Sequence, residues 1–162
     1  AGRSEFDTHQ ETWRFFFRTR PNPKRCLDRL QKVQNSAARL VLKAKKRDHV
    51  TPLLKTLHWL PVTARIEYKL SLLCHNFFSH SLPDYVTSLL SVYSPSRSLR
   101  SSSDQFILRI PKTRTKSFGE RAFSFTAPKQ WNSLPLNIRH ITSKEPFKRA
   151  LKTYLFEKYY NL

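Results

Sequence analysis

Eleven of the 162 residues are carboxylates, and their placement limits the catalytic chemistry open to the chain. A polymerase or nuclease centre holds two divalent metals a few ångströms apart on clustered acids. Here Asp7, Asp28, Asp48, Asp84 and Asp104 are isolated in sequence, the glutamates are no better grouped, and no Asp-Asp pair occurs. Cys74-His75 with His80, and His58 or His49 as a fourth donor, is the nearest approach to a zinc set. Its spacing matches no zinc signature, and a helix turns His80 away from Cys74. A buried cysteine and partly exposed histidines are the expected reading. No local pairing of Cys or Ser with His suggests an activated nucleophile. Gly2 and Gly119 are the only glycines, which excludes a glycine-rich phosphate or dinucleotide loop. The expectation is a non-enzyme with no cofactor, no metal and no small-molecule substrate.

The chemistry in excess is cationic. Thirty lysines and arginines give a formal charge of +19, beyond the magnitude of roughly 2–8 that keeps a small domain soluble. Residues 1–61 hold 14 basic and 5 acidic residues, 62–104 hold 4 and 3, and 105–162 hold 12 and 3. Two basic zones thus flank a nearly neutral, leucine-rich middle. One basic group is Lys43, Lys45, Lys46 and Arg47; the other is Arg97, Arg100, Arg109, Lys112, Arg114, Lys116 and Arg121. Serines interleaved with the arginines of the second group add donors for phosphate oxygens. Trp59 in HWLP and Trp131 in WNSLP read mainly as core anchors at helix ends, with base stacking as the alternative.

These residues need elements to hold them. Leu27, Leu30, Val33, Ala37, Leu40 and Ala44 recur at steps of three and four from Lys24 onward, predicting an amphipathic helix that ends in the first basic group. Thr51-Pro52 predicts a capped short helix through Leu57. Thr63 opens a longer helix with Ile66, Leu70, Leu73 and Phe77 inward, and Pro83-Asp84 starts a short one carrying Tyr85, Val86, Leu89 and Leu90. Residues 93–104 read as a serine-rich loop. Phe106, Leu108 and Ile110 predict one strand, and Phe123 and Phe125 within Ala122–Thr126 a second. Ala127-Pro128 opens a helix holding Trp131, and Ser143 caps a last helix with Phe147, Leu151, Tyr154 and Leu155 on one face. The fold class expected is mainly α, about five helices with a small two-stranded β element near 105–126. Residues 1–25 read as a weakly ordered arm and 26–162 as a single basic helical domain. No apolar run is long enough for a membrane span and no signal-like segment opens the chain. The expectation is an intracellular protein without a membrane partner, in a nuclear or cytoplasmic ribonucleoprotein.

Five strings occur in order: LQKVQNSAARLV (30–41), HVTPLLKTLHWLPVTARIEYKL (49–70), YSPSRSLRSS (93–102), SFGERAFSFTAPKQWNSLP (117–135) and FKRALKTYLF (147–156). Together they resemble the C-terminal region of reverse transcriptases from LINE-type, non-LTR retrotransposons, of the jockey-like and chicken-repeat-like lineages. The resemblance covers roughly Cys26 to Phe156, and residues 1–25 fall outside it. It implies a segment downstream of the polymerase palm, lacking both the endonuclease domain and the palm's Tyr-x-Asp-Asp box. Such a segment is expected to help hold element RNA or target DNA during target-primed reverse transcription. The resemblance transfers no catalytic residue.

The function expected is therefore a non-catalytic module that binds RNA or DNA phosphates through the two basic groups. A rival of another class is a protein-interaction piece docking on reverse-transcriptase core domains through Leu70, Leu73, Phe77 and Leu90. A translated relic without function is the third reading.

Overall fold

The computed structural model describes residues 23–94, 106–115 and 119–160. Residues 1–22 of the arm expected at 1–25, most of the serine-rich loop, and with them Arg97, Arg100 and Lys116, lie outside the described residues, while 23–25 belong to the first helix. The fold is mainly helical. Among the described residues there are seven α-helices: α1 (Pro23–Val41), α2 (Val50–Thr56), α3 (Val62–Phe78), α4 (Asp84–Thr87), α5 (Phe123–Asn132), α6 (Leu136–Arg139) and α7 (Lys144–Tyr160), with a 3-10 turn at Gly119–Arg121. They gather into two compact units. The first unit is Asn22–Lys69 with Glu145–Leu162, and the second includes Leu70–Lys144; the division falls within α3 and at the start of α7.

The first unit is built on α1, α2, the opening of α3 and α7. Ala38, Leu54 and Tyr160 form a buried cluster, with Val50, Leu53, Leu57, Trp59 and Phe156 packed on it. The Tyr160 hydroxyl donates to the Trp59 carbonyl, and the Phe156 and Tyr160 rings meet edge to face at 4.6 Å. Phe147, Leu151 and Leu155 of α7 are fully buried, as their spacing predicts.

α1 departs from its expected orientation. Its helix forms, but the apolar stripe faces outward: Leu30 is 55% exposed, Val33 67%, Leu40 81% and Val41 56%. The side turned inward carries Gln31, Gln34 and Ala38. Gln34 Nε2 donates to the Leu60 carbonyl at 2.9 Å, and Gln31 Oε1 accepts the Val62 amide at 2.9 Å. The physical reason lies in the turn that follows α2. Leu60 and Val62 leave a carbonyl and an amide near the helix, and buried backbone groups must be paired. Two glutamines meet that need, with Ala38 small enough for close approach, so polar pairing rather than apolar area selects the buried face.

The second unit corrects the β expectation. Among the described residues, no two-stranded element joins 106–110 to 122–126. Ala122–Thr126 instead leads into α5, where Phe123, Ala127 and Trp131 recur at helical spacing and are all buried. This longer 3.6-residue pattern outweighs the brief Phe123/Phe125 alternation. Pro128 lies in the second turn of α5 with its ring buried. The segment around Leu108 is extended, yet among the described residues it makes only a single antiparallel bridge, to Val92. The Tyr93 amide donates to Ile107 O at 2.9 Å and the Arg109 amide to Ser91 O at 2.8 Å. On the segment's opposite edge, side chains replace a strand. Asn132 Oδ1 accepts the Leu108 amide at 3.0 Å while Asn132 Nδ2 donates to Leu108 O at 2.8 Å. Trp131 Nε1 donates to Phe106 O at 2.6 Å. Phe78 packs against Phe106 and Trp131, with ring centroids 5.2 and 5.4 Å away.

Helix ends differ from the expected caps by a residue or two. α2 is preceded by His49, placing Thr51-Pro52 inside the first turn, and α4 by Pro83, neither with a side-chain cap bond. Three helices close with left-handed residues that are not glycine: Lys43 (φ 50°), His58 (φ 52°) and His80 (φ 50°). Each closure has the paired bonds of a Schellman motif. For α1 these run from Lys43 N to Leu40 O and from Ala44 N to Arg39 O; for α2, His58 N to Lys55 O and Trp59 N to Leu54 O; for α3, His80 N to Phe77 O and Ser81 N to Asn76 O.

Candidate nucleic-acid interface

The first basic group sits in the turn after α1, because the helix ends at Val41 before the run begins. Its cations are therefore placed by loop geometry and not by a last helical turn. Lys43 occupies the left-handed closing position. Asp48 Oδ2 accepts the Lys45 amide at 2.6 Å, the Asp48 amide returns to Lys45 O at 3.1 Å, and Arg39 Nη2 reaches Asp48 O at 3.2 Å. The only acid in the turn thus binds backbone. Lys43, Lys45, Lys46 and Arg47 are all exposed and form none of the ion pairs seen among the described residues. Lys148 and Lys158 differ, being matched by Glu145 at 2.6 Å and Glu67 at 2.9 Å.

The second group is carried by the clamped extended segment of the other unit. Leu108 is buried and fixed by Asn132, and the chain beyond it presents Arg109, Lys112 and Arg114 to solvent while Pro111 and Thr113 are half-buried. A two-residue period therefore puts Lys112 and Arg114 on one edge. Gly119 positions the next element: a Cβ there would meet Thr113 Cβ at 2.6 Å, so only glycine fits against this segment. Its amide also donates to Thr115 O at 3.0 Å and to Thr115 Oγ1 at 3.1 Å. The contact brings the 3-10 turn bearing half-buried Arg121 beside the strip that holds Lys112 and Arg114. Sequence reading identified the cations but not the Asn132 clamp or the Gly119 contact. The signals available were the WN dipeptide and a lone glycine in a glycine-poor chain.

The two tryptophans separate. Trp131 is fully buried, so its ring offers no face for a base to stack on. Trp59 is half-buried against the first unit's core. The leucine-rich docking face also divides: Leu90 is 7% exposed, and Leu70, Leu73 and Phe77 are half-buried.

Other reactive groups are committed elsewhere. Cys74 is fully buried, and burial holds its thiol far above the ordinary range, which suppresses the nucleophilic thiolate. His75 Nε2 lies 2.9 Å from the Ile141 carbonyl and is thus the protonated ring nitrogen. Burial, partly offset by backbone bonds to Ile141 and Thr142, lowers its pKa from 6.5. His80 is used in a helix closure. Among the described residues no three His, Cys, Asp or Glu side chains assemble as a metal site, and no helix is long and apolar enough to cross a membrane. A cavity of about 40 Å³ lined by His75, Phe78, Phe106 and Trp131 has room for little more than a water molecule. No family model, curated protein or solved structure matches the chain.

Proposed function

We propose that the chain is a non-catalytic nucleic-acid-binding module, derived from the C-terminal region of a non-LTR retrotransposon reverse transcriptase and working within an intracellular ribonucleoprotein. The observation that carries this reading is the state of the cations. Seven described lysines and arginines, on the Lys43–Arg47 turn and on the Arg109–Arg114 strip, are exposed and in none of the ion pairs seen among the described residues. Both segments are braced by backbone and side-chain bonds. Fixed, unneutralised cations on a chain of charge +19 repel one another until a polyanion relieves them. Phosphates are the natural acceptors, because lysine and arginine contact them whatever the base sequence. The origin in a reverse transcriptase is supported by the five ordered strings alone.

The test is binding of the purified chain to single-stranded RNA, single-stranded DNA and a duplex across a salt series. With about six phosphates contacted, affinity falls roughly a thousandfold between 50 and 200 mM salt. Changing Lys43, Lys45, Lys46 and Arg47 together to Ala flattens the slope of log K against log salt by up to about 3–4. Changing Arg109, Lys112 and Arg114 flattens it by up to about 2–3. A salt response that neither set alters would sink the proposal.

A further inference from the structure

The outward stripe of α1, read as an amphipathic period, also fits a heptad register. Cys26, Leu30, Val33, Ala37 and Leu40 alternate steps of four and three, which is the d-a-d-a-d repeat of two heptads and about 21 Å of helix. Leu30, Val33 and Leu40 are more than half exposed, Cys26 is exposed and Ala37 is half-buried. In that register the two flanks of the seam differ. On the e side, Gln34 is buried and bonded to Leu60 O, so the unit's own chain covers the middle of that edge. On the g side, Arg29 and Ser36 are exposed, followed around the helix by Arg25 and Lys32; Lys43 lies beyond the helix, in the turn after Val41. None of Arg25, Arg29 and Lys32 is in an ion pair seen among the described residues.

We propose that this seam docks one amphipathic helix of another polypeptide, one whose apolar a/d stripe is bordered by glutamate or aspartate facing Arg29 and the neighbouring Arg25 and Lys32. A leucine-bearing seam with a 3.5-residue repeat specifies a helix as its complement, and flanking charge selects the partner. Charge also disfavours a second copy. Two such chains each bring a charge of +19, and both seams carry the same cationic flank of Arg25, Arg29 and Lys32. A lipid surface fits less well, since interfacial helices insert aromatic as well as aliphatic side chains and this seam is Leu, Val, Ala and Cys only. The surface lies apart from the phosphate-binding role proposed above, whose nearest cation, Lys43, sits beyond the end of the helix.

The probe is a synthetic three-heptad peptide with Leu at a and d and Glu at e and g. Its controls are the same peptide with Lys for Glu, and a scramble of equal composition. Cys26 is exposed and Cys74 buried, so an environment-sensitive maleimide dye on the full chain labels one end of the seam. The expected result is saturable binding of the Glu peptide with a blue-shifted dye. Val33→Gln and Leu40→Gln each weaken it about tenfold while leaving the circular dichroism and melting temperature unchanged, because both side chains are exposed. Equal binding of the scramble, or indifference to both substitutions, overturns the proposal by reducing the effect to bulk charge. Dimerisation of the chain abolished by Leu40→Gln, or binding to anionic phosphatidylserine vesicles abolished by it, also overturns it, assigning the seam to a second copy or to a membrane.

Discussion

α1 of the first unit and the Phe106–Ile110 segment of the second use the same residue types in opposite ways. In α1, glutamines pair with backbone on the buried side and leucine and valine face solvent. In the extended segment, Leu108 is buried while Arg109 is exposed, and Trp131 and Asn132 bond the backbone from the interior. In both places the unpaired backbone groups of an irregular stretch settle the orientation. A single Trp-Asn pair buries apolar bulk and satisfies the main chain together, whereas α1 separates those two tasks onto different faces. The first arrangement finishes a core; the second leaves an apolar surface for another molecule.

The largest expected effect tests that contrast directly. Trp131→Ala removes a fully buried ring that packs on Phe78 and donates to Phe106 O, and should cost about 3–5 kcal/mol. Leu40→Ala, at 81% exposure, should stay within about 0.5 kcal/mol. Urea unfolding followed by far-ultraviolet circular dichroism measures both. Comparable losses would mean that the α1 stripe is already buried in the isolated chain, and the contrast would collapse.

That contrast also marks what the sequence could disclose. The existence of α1, α3 and α7 follows from the spacing of Leu30, Ile66 and Leu151 with their neighbours, since a helical period is local information, but α1 stops at Val41, short of the basic group in which its period predicts an end. Trp131 as a core anchor was legible too, because a tryptophan ahead of Asn-Ser-Leu-Pro ends a helix and needs an apolar site. Which face of α1 turns inward was not legible. That choice depends on the Leu60 carbonyl and the Val62 amide, about thirty residues away and carried by the backbone, where side-chain patterning is silent. The strand expected at Ala122–Thr126 failed on a related point: two alternating phenylalanines weigh less than a helical stripe continuing to Trp131. For the candidate interface, the identities of the cations were legible and their bracing was not. The Gly119–Thr113 contact and the Asn132 clamp are tertiary.

Helix closures extend the comparison at a smaller scale. Lys43 and His58 close helices of the first unit and His80 one of the second, all with φ near 50°, a conformation that disfavours a Cβ by roughly 1–2 kcal/mol. Glycine removes that strain but adds freedom to the unfolded chain, worth about 0.5–1 kcal/mol. Lys43→Gly should therefore stabilise by about 0.5–1 kcal/mol, read as a rise in the urea midpoint at unchanged slope. His58→Gly and His80→Gly should gain less, because histidine tolerates this region better than lysine does. A destabilised Lys43→Gly would show that the lysine stem packs on the turn, and that the first basic group is structural as well as cationic.

The smallest effect is a pH dependence confined to the second unit. His75 is buried with Nε2 on the Ile141 carbonyl, and burial lowers its pKa from 6.5. The unfolded chain therefore binds this proton more readily than the folded one, so stability rises with pH across the window. Above about pH 6.5 the contribution is complete; as pH falls below that value, toward the lower folded pKa, it is lost. Unfolding free energies at pH 7.5 and 5.5 should accordingly drop more for the natural chain than for His75→Gln, whose amide cannot titrate and can still donate to Ile141 O. The perturbed groups of the first unit lie far from this range: Tyr68, Lys148, Tyr159 and Tyr160 are all raised from values near or above 10. An equal drop in both proteins would place the acid sensitivity outside the second unit's interior, and with it the view that this unit is the one whose core is closed around its own polar groups.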